Sequence, residues 1–177
     1  MIQLVDAHKK YLKEYKEAYE LSLYHIEKGN IRKHDLMFEN IDEVDVIKKH
    51  QDSRDETKLK PGYVPSYDYF LVDDDKFLGV IHIRVRLTEN LLRFGGHIGY
   101  GINPKYWRKG YGKMILKLGL EKAKELGLEE RILVTCDDDN IGSSKIIEFN
   151  GGILENKVEN EEEDGIFLTR RYWIENK

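Results

Sequence analysis

The segment "NPKYWRKGYGKMILKLGLEKAKELGL", residues 103–128, gathers Arg108, Lys109 and Lys113 around Gly110 and Gly112. From Tyr111 onward apolar residues recur at helical spacing, so these basic residues sit where a helix starts. The first turn of a helix exposes backbone N–H groups without intrahelical partners, and the aligned peptide dipoles leave that end positive. Glycines let a ligand approach the backbone closely, and cations add attraction from further away. Together these features grip phosphate. Spacing excludes two common phosphate loops: G-x-x-x-x-G-K-[ST] is absent, and so is the three-glycine G-x-G-x-x-G fingerprint.

Just upstream, four of the eight residues in "GGHIGYGI" (95–102) are glycine. Alternation reads this stretch as a strand, and glycine in a strand marks a bulge or a close approach by another group. Its backbone N–H groups are placed to act as a partial oxyanion hole. His97, two residues before Gly99, carries an imidazole with an ordinary pKa of about 6.5, suited to removing a proton near neutral pH. Its competing reading is a hydrogen-bonded strand histidine, and His82 is read as structural. Cys136 has no Cys/His arrangement around it and reads as a buried strand-end residue. "DDDN" (137–140) looks like a run of divalent-ion ligands, but spacing alone makes no site; Asn140 reads as a helix cap. No metal is expected. "ENEEED" (159–164) reads as a solvated hairpin tip, with attraction of a cationic molecule as the competing reading.

These residues need elements to hold them. Residues 7–28 read as an amphipathic helix, with Leu12, Tyr15, Tyr19, Ser22 and Ile26 on one face and Gly29–Asn30 as the stop. A more polar helix is expected over 41–55. "KLKPGYVPSY" is a loop, followed by a hairpin of strands 67–72 and 77–87. After the central helix, which ends at Gly127, come a buried strand at 131–136, a short helix closed by Gly151–Gly152, and strands at 153–159 and 166–174. The order β-α-α-β-β-β-α-β-α-β-β predicts an α/β fold: a mixed, mostly antiparallel central sheet with helices on both faces, in one domain over 1–177.

The 177 residues are 40% hydrophobic and 35% charged, with a formal net charge of -4. That balance argues against general nucleic-acid binding, the basic turn being local. One cysteine excludes an internal disulfide and any multi-cysteine metal site. Residues 1–28 lack the apolar core of a secretory signal, and no run of about 18 apolar residues exists to span a membrane. A cytoplasmic protein is expected, with neither nucleic acid nor membrane as partner.

With these residues on the page, "HIGYGINPKYWRKGYGKMILKLGLEKAKELGL" resembles the central segment of the GCN5-related N-acetyltransferase (GNAT) family. There a strand leads through a proline into a [QR]-x-x-G-x-[GA] turn and a helix that binds the coenzyme A pyrophosphate. "ILVTCDDDNIGSSKIIEFNGG" resembles the family's next segment, a strand followed by N-x-x-[SA], a short helix and a closing glycine; together they cover about residues 94–154. The resemblance implies acetyl-CoA as cosubstrate. It implies contacts from Arg108, Lys109, Gly110, Tyr111, Gly112 and Lys113 to the pyrophosphate, from Ile102 and its neighbours to the pantetheine arm, and from Asn140 and Ser143. At the place of His97, some relatives acting on ribosomal proteins carry a glutamate.

Two positions depart from the family pattern. Trp107 stands where Gln or Arg is usual, with Arg108 one residue later. Ile147 stands where many members have a tyrosine that protonates the departing thiolate; Ser144, Tyr100 and Tyr106 are the candidate replacements. The resulting expectation is acetyl transfer to a primary amine by direct attack, with His97 as general base and Ser144 as a candidate proton donor. The alternative is a catalytically weak or inactive acyl-CoA-binding protein of the same fold. Expected partners are a small-molecule amine or a peptide or protein amine, with a second copy of the chain allowed as a homodimer partner.

Overall fold

The computed structural model describes residues 1–163 and 165–177. Its strands are β1 (Ile2–Val5), β2 (Ser66–Asp73), β3 (Lys76–Arg84), β4 (Ile98–Ile102), β5 (Arg131–Asp137), β6 (Ile153–Glu162) and β7 (Gly165–Glu175). Its helices are α1 (Leu12–Glu27), α2 (Val46–Asp52), α3 (Glu89–Arg93), α4 (Tyr111–Glu125) and α5 (Ile141–Phe149). The expected order is present, with α3 as an addition. The hydrogen-bonded ladders are all antiparallel and fall into two sheets, β1-β2-β3-β4 and β5-β7-β6.

Alternation along β2 and β3 builds two cores. Phe70, Val72, Phe77 and Val80 face one side, where Tyr15 and Ala18 of α1 and Val46 of α2 cover them. Leu71, Leu78, Ile81 and Ile83 face the other, against Ile115, Leu116, Leu120 and Ala123 of α4 and Ile147 of α5. A bulge, where Leu71 pairs with Gly79 but Val72 with Phe77, interrupts the alternation, so that Phe77 shares a core with Val80 and Leu78 with Ile81, three residues on. Helices on both faces are therefore what bury this sheet, because each face is apolar at every second residue.

The sheets meet just before β4. His97 N–H donates to Leu133 O at 2.8 Å, and Leu133 N–H donates back to His97 Nδ1 at 2.9 Å. Gly95 N–H reaches Thr135 Oγ1 at 2.9 Å, and Arg84 Nη1 donates to both Gly95 O and Gly96 O at 3.1 Å.

α1 begins at Leu12 and β4 at Ile98, later than expected, and three further differences each have a local reason. β3 stops at Arg84, short of Leu87, because Val85 N–H turns to Pro65 O. The second helix is confined to Val46–Asp52, where Asp45 caps it by accepting from Lys48 N–H. The five-residue α3 is too short for a periodic signal; Thr88 Oγ1 caps it by accepting from Leu91 N–H. No helix among the described residues is long and apolar enough to cross a membrane.

Candidate functional site

A cleft of about 900 Å³ runs along β4, from the start of α4 to the ends of β5 and β7. At one end the chain leaves β4, passes a 3-10 turn at Pro104–Tyr106 and enters α4 through a left-handed bend. Gly110 has φ 86°, a region that costs an L side chain strain, and Arg108 adopts φ 59° despite its Cβ. Two left-handed residues so close together reverse the backbone and present the first amides of α4 to the cleft, the arrangement that holds anions. Trp107 braces the bend: its indole N–H donates to Ile102 O at 2.9 Å, and its ring lies 4.6 Å from that of His25 on α1.

The middle of the cleft is β4 itself. Gly101 has no room for a side chain, since a Cβ would stand 2.6 Å from Met37 Cβ. The close approach foreshadowed by the strand's glycines is thus made, at Gly101, by Met37 of the segment before α2. Opposite lies α5, whose cap is Asn140: its Oδ1 accepts from Ser143 N–H at 3.0 Å. Ser143 Oγ and Tyr100 OH are 3.0 Å apart, and burial raises the Tyr100 phenol well above its ordinary value, so it is held protonated.

At the far end, side chains from distant segments converge. His34 Nε2 lies 2.8 Å from Asp137 Oδ2, and its ring stacks on Phe167 with centroids 4.5 Å apart. Arg32 pairs with Asp137 at 3.5 Å and with Asp139 at 2.7 Å. Asp35 is pushed up to about 6, by burial first and by the Asp137 carboxylate second, against the pull of His34 and Arg32. The acidic run is therefore divided among partners, Asp138 taking Arg170 at 2.6 Å and Lys157 at 2.7 Å. It is not a ligand set of its own.

Ile102, Arg108, Gly110, Tyr111, Gly112, Lys113, Asn140 and Ser143 all line the cleft. Lys109 does not; its Nζ lies 5.3 Å from the centre of the Tyr106 ring. His97 does not line it either. It is 2% exposed, its Nδ1 is engaged by Leu133 N–H, and burial lowers its pKa, so the expected base role has no geometry behind it. Ser144 is buried with its hydroxyl donated to Ile141 O at 3.0 Å, which corrects its candidacy as proton donor. Ile147 is fully buried in the core. Cys136 lines the cleft, with burial first among the causes that push its thiol up to about 12, so it is no ready nucleophile. Of the "ENEEED" tip, Glu162 lines the cleft, while Asp164 lies outside the described residues.

Sequence reasoning missed His34 and Asp35, which fall between the two expected helices, and Phe167, which falls in the strand expected at 166–174. His34 and Asp35 sit in an aperiodic polar stretch, and only the "DDDN" run carrying Asp137 stood out.

The acetyltransferase (GNAT) domain model matches residues 34–153. None of the curated proteins compared with the chain matches it. Among solved structures, the microcin C7 self-immunity acetyltransferase in complex with acetyl-CoA and AMP superimposes with a TM-score of 0.70 at 18% identity, covering 97% of this chain and 91% of that one. A Salmonella typhimurium acetyltransferase that modifies the N-terminal serine of a 50S ribosomal subunit protein gives 0.68 at 15% identity, covering 97% and 93%. A chimeric spermidine N-acetyltransferase built partly from the Vibrio cholerae enzyme gives 0.67 at 13% identity, covering 99% and 95%.

Proposed function

The chain belongs to the GNAT acetyltransferase family, and from that premise we propose that it moves the acetyl group of acetyl-CoA to a primary amine by direct attack within the cleft. The observation that carries this reading is the shared cleft: the anion-binding start of α4, the Tyr100–Ser143 hydroxyl pair and the Asp35–Asp137–His34 group all open into it. Its volume, about 900 Å³, lies in the range of small-molecule and cofactor sites.

In this reading the amides of Tyr111, Gly112 and Lys113 hold the pyrophosphate, with Arg108 and Lys113 adding charge. Lys109, turned toward Tyr106, contributes only to the local positive field. Asn140 and Ser143 flank the cofactor from α5, and the backbone of Gly101 and Ile102 faces its arm. Acetyl-CoA supplies an acetyl group activated as a thioester. A lysine-like amine, with pKa near 10.4, arrives protonated at neutral pH. Asp35, raised to about 6, is still ionised at pH 7 and close enough to neutrality to accept that proton. It replaces His97 as the base. Tyr100 returns a proton to the sulfur through or beside Ser143, filling the role that Ile147 cannot. One N–C bond forms and one C–S bond breaks. Of the two protons the nitrogen gives up on going from ammonium to amide, one leaves through Asp35 to solvent and the other replaces the one Tyr100 gives to the thiolate, so one proton is released per turnover.

The neighbours that act on an N-terminal serine and on spermidine support an amine acceptor, and the carboxylates Asp35, Asp137 and Glu162 along the cleft favour a cationic one. A second reading, acyl-CoA binding without turnover, is favoured by Ile147 at the usual tyrosine position. Free thiol release from acetyl-CoA across a panel of polyamines, lysine-like amines and N-terminal peptides separates the two. Release above the hydrolysis background with at least one amine is expected. Acetyl-CoA binding with no release from any amine would overturn the transfer reading.

A further inference from the structure

On the face of the first sheet covered by α1 and α2, three side chains meet that the transfer reading does not use. Asp68 of β2 and His82 of β3 are directly opposite in register, with His82 Nδ1 2.8 Å from Asp68 Oδ1. Ser66 Oγ donates to the same carboxylate oxygen at 3.0 Å, which orients it. His50 arrives from α2, its ring centre 5.9 Å from that of His82. One ligand atom from each of His50, Asp68 and His82 lies within 4.8 Å of the other two.

His50 makes this more than a polar cluster. It is 4% exposed, and its Nδ1 is buried without a hydrogen-bond partner. A buried imidazole nitrogen left unpaired forfeits the bonds it made to water, a cost that a metal ion can offset. The second such group among the described residues, His34–Asp35–Asp137, holds no such unpaired buried nitrogen, His34 Nε2 lying 2.8 Å from Asp137, which Arg32 also pairs with.

We propose that His50, Asp68 and His82 form a binding site for a divalent transition metal of the zinc class, with an outer position left to water. Two imidazoles and one carboxylate are the borderline nitrogen and oxygen donors such ions prefer over calcium or magnesium. Zinc bonds of about 2.0–2.2 Å put neighbouring tetrahedral ligand atoms roughly 3.3–3.5 Å apart. The ligand atoms lie within 4.8 Å of one another, so the widest pair must close by at most about 1.4 Å, while His82 Nδ1 and Asp68 Oδ1, now 2.8 Å apart, open slightly. A metal there ties α2 to β2 and β3. It sits one strand from the cleft, since His82 pairs with Gly99, which lines it. The site stands whether or not the chain turns over an amine.

The experiment uses the full chain, stripped with chelator and desalted, titrated with Co²⁺ and then competed with Zn²⁺. One Co²⁺ per chain with visible tetrahedral-type bands, displaced by one Zn²⁺, and a rise in Tm with Zn²⁺ are the expected results. His50→Ala and His82→Asn each lose the bands, while His34→Gln keeps them. The acetyl-CoA-induced rise in Tm serves as the check that each variant is folded. If His50→Ala does not fold, His82→Asn, at the more exposed edge of the site, carries the comparison. Absence of one-to-one Co²⁺ binding by the wild type overturns the proposal. So does binding that survives in His82→Asn, or bands lost in His34→Gln and kept in His50→Ala.

Discussion

At one end of the cleft the wall is a single stretch of chain, running from β4 through the bend at Arg108–Gly110 into α4. At the other end His34 and Asp35, Asp137, and Phe167 come from three segments far apart in sequence, His34 and Asp137 being 103 residues apart. In the proposed reading the first end works through backbone, left-handed dihedrals and helix amides, with side chains adding only charge. The second works through side chains whose protonation depends on each other. A backbone site is expected to tolerate a changed residue such as Trp107, whose indole N–H donates to Ile102 O. A side-chain site is sensitive to single atoms.

The largest effect is expected where the backbone end is broken. Acetyl-CoA at about 100 times its Kd stabilises the native state by roughly 2.7 kcal/mol, which raises Tm by about 5–10 °C in a chain of this size. Gly110→Asp abolishes that rise, because φ 86° disfavours a side chain and the carboxylate repels phosphate. Thermal denaturation with and without acetyl-CoA reads this. An undiminished shift in the variant would move the cofactor away from the bend.

The side-chain end is tested next. Asp35→Asn lowers amine kcat/KM by about 10²–10⁴-fold, the contribution of a positioned base, and leaves the acetyl-CoA shift intact. The sign of the pH dependence follows from the base being ionised when it acts. In the wild type kcat/KM rises with pH through about 6, and that limb is absent in Asp35→Asn. Asp137→Asn removes a like charge, so the limb moves to lower pH. pH–rate profiles of the three proteins decide the matter, and an identical limb in all of them would clear Asp35 of the role.

The smallest effect on rate belongs to His97. His97→Ala leaves the buried Leu133 N–H without its acceptor, at a cost of about 1–3 kcal/mol in stability. It spares the rate the 10²–10⁴-fold loss of a missing base. Denaturant unfolding beside a kcat/KM measurement separates the two; loss of the pH limb in this variant would restore His97 as the base and end the contrast between the ends of the cleft.

The order of elements and the glycine-containing entry to α4 were legible in the sequence because both are local. Helical and strand periodicities repeat within a few residues, and the bend needs only glycine and its neighbours to adopt its dihedrals. Asn140 was legible as a cap for the same reason. Direction was not legible. Ser143 and Ser144 are adjacent, yet a helix turns about 100° per residue. One hydroxyl therefore faces Tyr100 in the cleft and the other bonds to the helix's own Ile141 O. His97 falls in the stretch read as a strand but stands just before β4, following the left-handed Gly95 and Gly96, and its ring accepts from Leu133 N–H. The groupings of His34 with Asp137, and of His50 with Asp68 and His82, appear only once α2 and the loop before it pack against the sheets. A hydrogen-bond partner is chosen by distance in space, and among residues far apart in sequence that distance is set by burial of the two cores.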